Sequence, residues 1–217
     1  MLAVSPEDID SFLSSTTHAR IDTALFTTGK RVSRTQSTPI AISVPPGDVN
    51  IYDSWKHVNA KLADLEMACW EDNVGDHYTQ MIQSPALRAP EVCIGAGWGK
   101  PADIWSIACL AYQLSMGKSL ITPNCDSDAV PFFQALYFGN LPMHMLKRGA
   151  ESSKFYKDDG TLKIELPGRL SVEEMVLKQP PGRARMLVDF LKRAFVLDPE
   201  QRPTARELLA HEWVQPS

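Results

Sequence analysis

Four cysteines are the residues of this 217-residue chain best suited to bind a metal or form disulfides. They are Cys69, Cys93, Cys109 and Cys125, and no two of them have Cys-x-x-Cys spacing. Structural zinc sites require closer ligand pairs, and disulfides belong to oxidising compartments. We therefore expect buried free thiols in a protein that works in a reducing compartment.

Two other patterns match known site motifs only in part. His211-Glu212 could begin a zinc-protease motif, but no second histidine follows at the required offset. The glycine-rich run from Gly95 to Gly99 could contact phosphates, but no strand precedes it at the spacing that nucleotide-binding loops need. Neither pattern predicts a catalytic site.

Three short runs occur in an order that carries more information. Asp64 is followed by Ala68-Cys69-Trp70, then by the run Arg88-Ala89-Pro90-Glu91-Val92, and then by Pro101-Ala102-Asp103-Ile104-Trp105-Ser106. In sequence and order these runs resemble the activation segment and central helix of the SR-protein kinases. That family belongs to the CMGC group of serine/threonine kinases, and the resemblance is to its fungal type.

The resemblance gives Asp64 a role. In kinases the aspartate of Asp-Phe-Gly or Asp-Leu-Gly holds Mg²⁺ against the ATP phosphates, and Asp64 stands in that place. Glu66 replaces the glycine, which adds a negative charge and restricts the backbone. Asp64 is thus the one candidate metal ligand, with ATP and Mg²⁺ as the implied cofactors. The alternative is an ordinary aspartate at the end of a strand.

The resemblance places an activation segment at residues 64–91, whose last part would face the substrate through Ser84, Pro85 and Arg88. It also implies structural roles for three other residues. Glu91 would form a buried ion pair with Arg202, and loss of one partner would cost about 3–5 kcal/mol. Asp103 would bind the backbone of the catalytic loop. We expect these three residues to hold the fold and do no chemistry.

The kinase motifs that carry out catalysis have no match before Asp64. A Gly-rich loop, a strand lysine with its helix glutamate, and a His-Arg-Asp loop with a downstream Asn are all missing there. We therefore predict no catalytic residue in this chain, which would be inactive alone. It would be the lower half of a kinase, truncated before the activation segment, with the N-terminal lobe missing.

The sequence predicts that these residues are positioned by a mainly α fold of the kinase C-terminal-lobe type, which covers residues 58–217. A short β-hairpin remnant is expected around Lys61-Leu62-Ala63. Residues 1–19 would form a helix, capped by Ser5, that follows the absent catalytic loop. Residues 20–57 are rich in Ser, Thr and Pro and predict a flexible insert.

Within the lobe, residues 101–116 predict a central helix that is apolar on nearly every face, therefore buried, and closed by Gly117. A short helix over 89–94 precedes it, and another helix over 127–138 follows. Ser171 with Glu174, and Thr204 with Glu207, have the spacing of helix caps. Terminal helices are expected over 183–214.

Residues 120–180 correspond to an insert of the SR-protein kinases. In that family this region helps to form an acidic groove that docks Arg/Ser-rich substrates. The candidates for such docking here are four acidic residues: Asp126, Asp128, Asp158 and Asp159. A solvated acidic face with no partner is the alternative.

The composition excludes several functions. A net charge of −4 gives no basic surface for nucleic acid or anionic membranes. No apolar run reaches the roughly 18 residues of a membrane span. We expect a soluble, intracellular monomer, and family habit places it in the cytoplasm and nucleus.

Three hypotheses remain open. The first is a partial SR-protein kinase, whose parent activity would be ATP-dependent phosphorylation of serine in Arg/Ser-rich proteins such as splicing factors, and so regulation of mRNA splicing. The second is a non-catalytic, pseudokinase-like scaffold that binds basic peptides or kinase partners. The third is a decayed gene product that barely folds and exposes apolar surface.

Overall fold

The computed structural model describes the backbone of residues 21–25 and 31–35, and then residues 65, 67–70, 81–178 and 184–215. The chain divides into two compact units, Met1–Met67 and Ala68–Ser217. The predicted helix in residues 1–19 and most of the hairpin predicted around Lys61 lie outside the described residues.

A β-hairpin is the described part of the first unit. Strand β1 (Ile21–Leu25) pairs antiparallel with β2 (Arg31–Thr35), with Ile21 opposite Thr35 and Leu25 opposite Arg31. The prediction of loop over residues 20–57 is wrong for these two strands. β-branched residues occur in both of them and Gly29 stands between them, which is a pattern that favours a hairpin.

Helices are the main regular structure of the described second unit, and the mainly α prediction is confirmed. In chain order they are α1 (Pro90–Cys93), α2 (Lys100–Met116), α3 (Val130–Phe138), α4 (Met143–Arg148), α5 (Ser152–Phe155), α6 (Val172–Leu177), α7 (Ala184–Ala194) and α8 (Ala205–Leu209). Three short 3₁₀ helices lie at Pro85–Leu87, Ser127–Ala129 and Pro199–Gln201. None of these described helices is both long enough and apolar enough to cross a membrane.

Helix α2 is the centre of the main core. Pro101 lies in its first turn, where the missing N–H costs nothing, and Gly117 ends it in the left-handed conformation at φ 66°. Trp105 is 1% exposed and makes edge contacts with Phe138 and Phe195, with ring centroids 5.1 and 4.9 Å away. These contacts join α2 to the end of α3 and to the residue that follows α7.

The prediction that α2 is buried on every side is wrong for one face. Ile107, Leu110 and Leu114 are 45%, 47% and 76% exposed. The 3₁₀ helix at Pro85–Leu87, α7 and the 3₁₀ helix at Pro199–Gln201 pack against α2. They cover the face that carries Trp105 and leave this i, i+3, i+7 stripe uncovered.

A second, smaller core lies under the insert. It joins Ile94 after α1 to Met145 and Leu146 of α4 and to Phe155 and Tyr156 at the end of α5. The backbone N–H groups of Ala150 and Glu151 donate to the carbonyls of Gly95 and Ile94, at 3.2 and 2.9 Å. The insert is therefore anchored next to α1 rather than standing free of the lobe.

Two helix starts are capped as their sequences predict. The Ser171 hydroxyl accepts the backbone N–H of Glu174 at 3.1 Å, at the start of α6. Thr204 and Glu207 form a complete capping box at the start of α8, in which each side chain accepts the other's backbone N–H.

Candidate functional site

The segment 81–89, which enters α1, contains the one described non-glycine residue with a positive φ. Gln83 has φ 65°, a conformation that is uncommon for a residue with a side chain. Its amide Nε2 donates to the Ala102 carbonyl and the Ser106 hydroxyl, both at 2.8 Å, and its Oε1 accepts the Ala89 N–H at 2.9 Å. Contacts to α2 therefore hold the turn in place.

Arg88 lies inside this segment. Its guanidinium donates to the carbonyls of Ile82 and Gln83, at 3.1 and 2.9 Å, and the residue is 6% exposed. In this conformation the Arg88 side chain cannot make the predicted substrate contact, because its guanidinium turns inward and donates to these two carbonyls. Ser84 is exposed and Pro85 half-buried, so these two residues do lie on the surface.

Glu91 and Arg202 form the ion pair that the resemblance implies. The two guanidinium nitrogens donate to the two carboxylate oxygens at 2.8 and 3.0 Å, and both side chains are fully buried. Arg202 also donates to the carbonyls of Pro101 and Val196 and lies 5.3 Å from the centre of the Trp105 ring. The pair therefore joins α1, α2 and the segment after α7.

Asp103 lies in the first turn of α2, and its side chain is exposed. Desolvation by neighbouring protein atoms raises the pKa of this carboxyl above its ordinary value. No hydrogen bond from another described residue to this carboxylate is seen. Its predicted partner, the backbone of a catalytic loop, is not among the described residues.

An acidic patch lies between the start of α3 and α5, and we define it by Asp126, Asp128 and Glu151. At its centre, Lys154 donates to Asp128 at 2.9 Å. This hydrogen bond, and then the charges of Asp128, Glu151 and Asp126, raise the pKa of Lys154. Asp128 thus pairs directly with the lysine, Glu151 and Asp126 act on it through their charges, and all four residues are exposed to water.

The other two predicted docking acids follow α5. Asp159 accepts the backbone N–H and the hydroxyl of Thr161, at 2.9 and 2.6 Å, and these bonds lower the pKa of its carboxyl. Asp158 is exposed beside it. Asp159 is therefore used to close a turn, whereas Asp158 presents its charge to solvent.

An open groove of about 770 Å³ lies at the opposite end of α3, between α3, α6 and α7. Its walls are mostly apolar and include Tyr137, Phe138, Val176 and Phe195. Lys192 and Glu173 pair across its rim at 2.6 Å. The apolar walls do not match a basic peptide, so we do not assign substrate docking to this groove.

The metal prediction lies outside the described residues, because Asp64 and Glu66 do. Among residues 81–178, 184–215 and the few described before them, no group of three His, Cys, Asp or Glu could hold a metal ion. His211 pairs instead with Asp189 at 2.9 Å and accepts the Trp213 N–H at 3.1 Å. All four cysteines are free thiols in the structure; Cys93 and Cys109 are buried as predicted, whereas the prediction of burial is wrong for Cys69 and Cys125, which are half-buried.

Three polar residues that hold segment 81–89 were missed by the sequence analysis. They are Gln83, Ser106, whose hydroxyl donates to the Leu87 carbonyl at 2.8 Å, and Gln134, whose amide donates to the Arg88 carbonyl at 2.7 Å. Gln134 did carry a signal, since it interrupts the apolar run of α3. Gln83 and Ser106 carried none, because their roles depend on contacts 19 and 23 residues apart in sequence.

Comparison with known proteins gives a match to the protein kinase domain over residues 48–214. Serine/threonine-protein kinase SKY1 of Saccharomyces cerevisiae is 32% identical over 219 aligned residues, 96% of this chain and 28% of that protein. Serine/threonine-protein kinase spk-1 of Caenorhabditis elegans is 34% identical, over 81% of this chain and 18% of that protein. Human SRSF protein kinase 3 is 34% identical, over 73% of this chain and 29% of that protein. The chain thus spans less than a third of the length of these relatives.

Proposed function

Because this chain belongs to the protein kinase family and is SR-protein-kinase-like, we propose that it binds Arg/Ser-rich protein segments as the substrate-docking part of a serine/threonine kinase. The parent activity would be transfer of the ATP γ-phosphoryl group to serine in such proteins. Fold likeness alone does not establish this activity. The proposal therefore depends on the surface charges of the lobe.

The acidic patch is the observation that carries the proposal. Lys154 pairs with Asp128, and the charges of Glu151 and Asp126 also act on it, so three negative charges in this patch oppose one positive charge. An arginine side chain can replace the lysine and bind a carboxylate through two parallel hydrogen bonds. The arginines of a bound Arg/Ser segment would thus compete with Lys154 for the same carboxylates.

Catalysis by the 217 residues alone is not part of the proposal. The printed sequence contains no His-Arg-Asp motif, and none of the described residues forms a metal-holding group. We expect this chain on its own to bind substrate without transferring phosphate. The replacement of the activation-segment glycine by Glu66 supports the second candidate, a pseudokinase-like scaffold for basic peptides or kinase partners.

Fluorescence anisotropy of a labelled peptide with alternating Arg and Ser tests the docking proposal. We expect saturable binding that weakens as salt is raised from 50 to 300 mM, because exposed charges are screened at about 8–10 Å. A peptide with Glu in place of Arg should not bind. Lack of binding by the Arg/Ser peptide at 50 mM salt would contradict the proposal.

A substitution that removes the internal cation makes the test specific. Lys154→Met should tighten Arg/Ser peptide binding by about threefold to tenfold, since it frees Asp128, whereas Asp128→Asn should weaken it. Arg148→Met is the matched control, because Arg148 is an exposed cation paired with Glu200 outside the patch. Equal effects of Lys154→Met and Arg148→Met would show that only net charge matters and would reject this site.

Nucleotide binding tests whether the chain keeps a kinase metal site, which neither candidate requires. A thermal-shift titration with ATP and Mg²⁺ on the intact chain should give no shift if the chain is a docking scaffold. A saturable shift that Asp64→Ala abolishes would instead assign the metal role to Asp64.

A further inference from the structure

Gln134 is a buried amide in the middle of an apolar helix. The residue lies on α3, is 2% exposed, and has Phe133 and Ala135 as its neighbours in sequence. Burying an amide is unfavourable unless its polar atoms find partners. Its Nε2 finds one in the Arg88 carbonyl at 2.7 Å, a contact that spans 46 residues of sequence.

Arg88 connects Gln134 to the substrate-facing segment. Its carbonyl is held by α3, and its guanidinium holds the carbonyls of Ile82 and Gln83 at 3.1 and 2.9 Å. One residue therefore fixes both the end of the segment and the left-handed turn at its beginning. Ser84 and Pro85, the surface residues of the segment, lie between those two points.

We infer that Gln134 is a positioning residue that sets, through Arg88, the conformation in which residues 82–88 meet a substrate. Gln134 itself touches no substrate. The same helix α3 begins next to the acidic patch, so one element links the two surfaces that a substrate would contact. This inference rests on the proposed function, because only that function gives the segment a substrate.

The competing explanation is that Gln134 only fills space in the core. In that case, loss of its hydrogen bond alone would leave the segment unchanged. Methionine has a similar length and no side-chain N–H. Gln134→Met would therefore still fill the space of the glutamine side chain but would remove the hydrogen bond to the Arg88 carbonyl. Gln134→Glu keeps the shape and makes the bond depend on protonation. A neutral carboxyl can donate to the Arg88 carbonyl, whereas a carboxylate cannot.

Hydrogen exchange on the unliganded 217-residue chain tests the inference. Gln134→Met should lower the protection of amides 82–89 by about tenfold or more and leave amides 187–191 of α7 unchanged. Gln134→Glu should keep wild-type protection of residues 82–89 near pH 5 and lose it near pH 8. Gln113→Met, at an exposed position of α2, is the matched control and should change neither segment.

The groups that face position 134 allow this pH comparison. They are Arg88, whose carbonyl accepts the Gln134 amide, and Cys93, whose thiol is hydrogen-bonded to the Gln134 side chain. Burial raises the pKa of the Cys93 thiol to about 12, with Arg88 the largest opposing influence. Glu91 is paired with Arg202. The introduced carboxyl is therefore the group at this site that should respond between pH 5 and pH 8.

The outcomes separate the inference from the proposed function. Unchanged protection of residues 82–89 in Gln134→Met, or an equal loss of protection in α7, would each overturn the positioning role. Failure of the wild-type chain to bind an Arg/Ser peptide would reject the proposed function and leave the exchange result to stand. Where the peptide binds, Gln134→Met should weaken that binding and Gln113→Met should not.

Discussion

The guanidinium of Arg202 donates to both carboxylate oxygens of Glu91 across 111 residues of sequence, with both side chains fully buried. Two charges so far from water are stable only because each is the other's partner and further carbonyls accept the remaining N–H groups. Those carbonyls belong to Pro101, Val196 and Leu197. The pair is therefore a junction of the lobe rather than a local contact.

Glu91→Gln should lower the free energy of unfolding by about 3–5 kcal/mol, because it leaves the Arg202 charge buried without a counter-charge. Urea denaturation followed by tryptophan fluorescence measures this change. Arg148→Ala, which removes an exposed pair with Glu200 at 3.0 Å, is the control and should cost about 0–1 kcal/mol. Similar losses of unfolding free energy in the two variants would show that the buried pair stabilises the lobe no more than an exposed pair does.

Thr204→Ala should destabilise the lobe by about 1 kcal/mol, because it removes the side-chain half of the capping box at the start of α8. Thermal unfolding of the variant measures the loss. Thr122→Ala changes the same residue type at an exposed position outside any helix and should have little effect. A larger loss in Thr122→Ala than in Thr204→Ala would refute the capping role.

Asp103→Asn should stabilise the chain at pH 7 by less than about 1 kcal/mol, since the exposed side chain is partly screened by water. The folded pKa of this carboxyl lies above its unfolded value. The ionised form therefore subtracts stability at neutral pH, and that loss disappears as the pH falls through the folded pKa and then the unfolded one. Urea denaturation of both proteins from pH 4 to pH 8 should show a gap that closes on acidification. A gap that widens instead would mean that a partner stabilises the charge.

Cys93 and Cys109 should resist alkylation by iodoacetamide at pH 8 in the native chain. Burial raises the pKa of each thiol to about 12, which leaves a thiolate fraction of about 10⁻⁴ at that pH. Cys125 should react more slowly than a free cysteine, because burial and then the charge of Asp126 raise its pKa. Peptide mass spectrometry with and without urea measures the four rates. Rapid native labelling of Cys93 would show that its packing against Ile121 and Val130 opens readily.

The helices and caps of the second unit could be predicted because their signals are local. Pro101 and Gly117 mark the ends of α2, and Thr204 with Glu207 marks the start of α8. Each signal depends on neighbours within a few turns of the same chain segment. The hairpin of residues 21–35 was missed because its Ser and Thr content was interpreted as loop composition, although Thr is also common in strands.

The candidate site was harder to predict, because its contacts join distant parts of the chain. Glu91 with Arg202 was expected only through the family resemblance. The inward turn of Arg88 depends on the left-handed conformation of Gln83, and nothing in the sequence near residue 83 indicates such a turn. The apolar composition of α2 suggested burial on all sides, whereas exposure of Ile107 and Leu114 depends on which elements pack against the helix.

The long separation between Glu91 and Arg202 also limits the order in which the lobe can form during synthesis. The chain is made from its N-terminus. Glu91 therefore leaves the ribosome 111 residues before Arg202, whose guanidinium neutralises the Glu91 carboxylate. Until then the Glu91 carboxylate has no counter-charge and must stay in water, so α1 cannot reach its native burial. We therefore expect the lobe to complete its folding only after the segment that carries Arg202 has emerged.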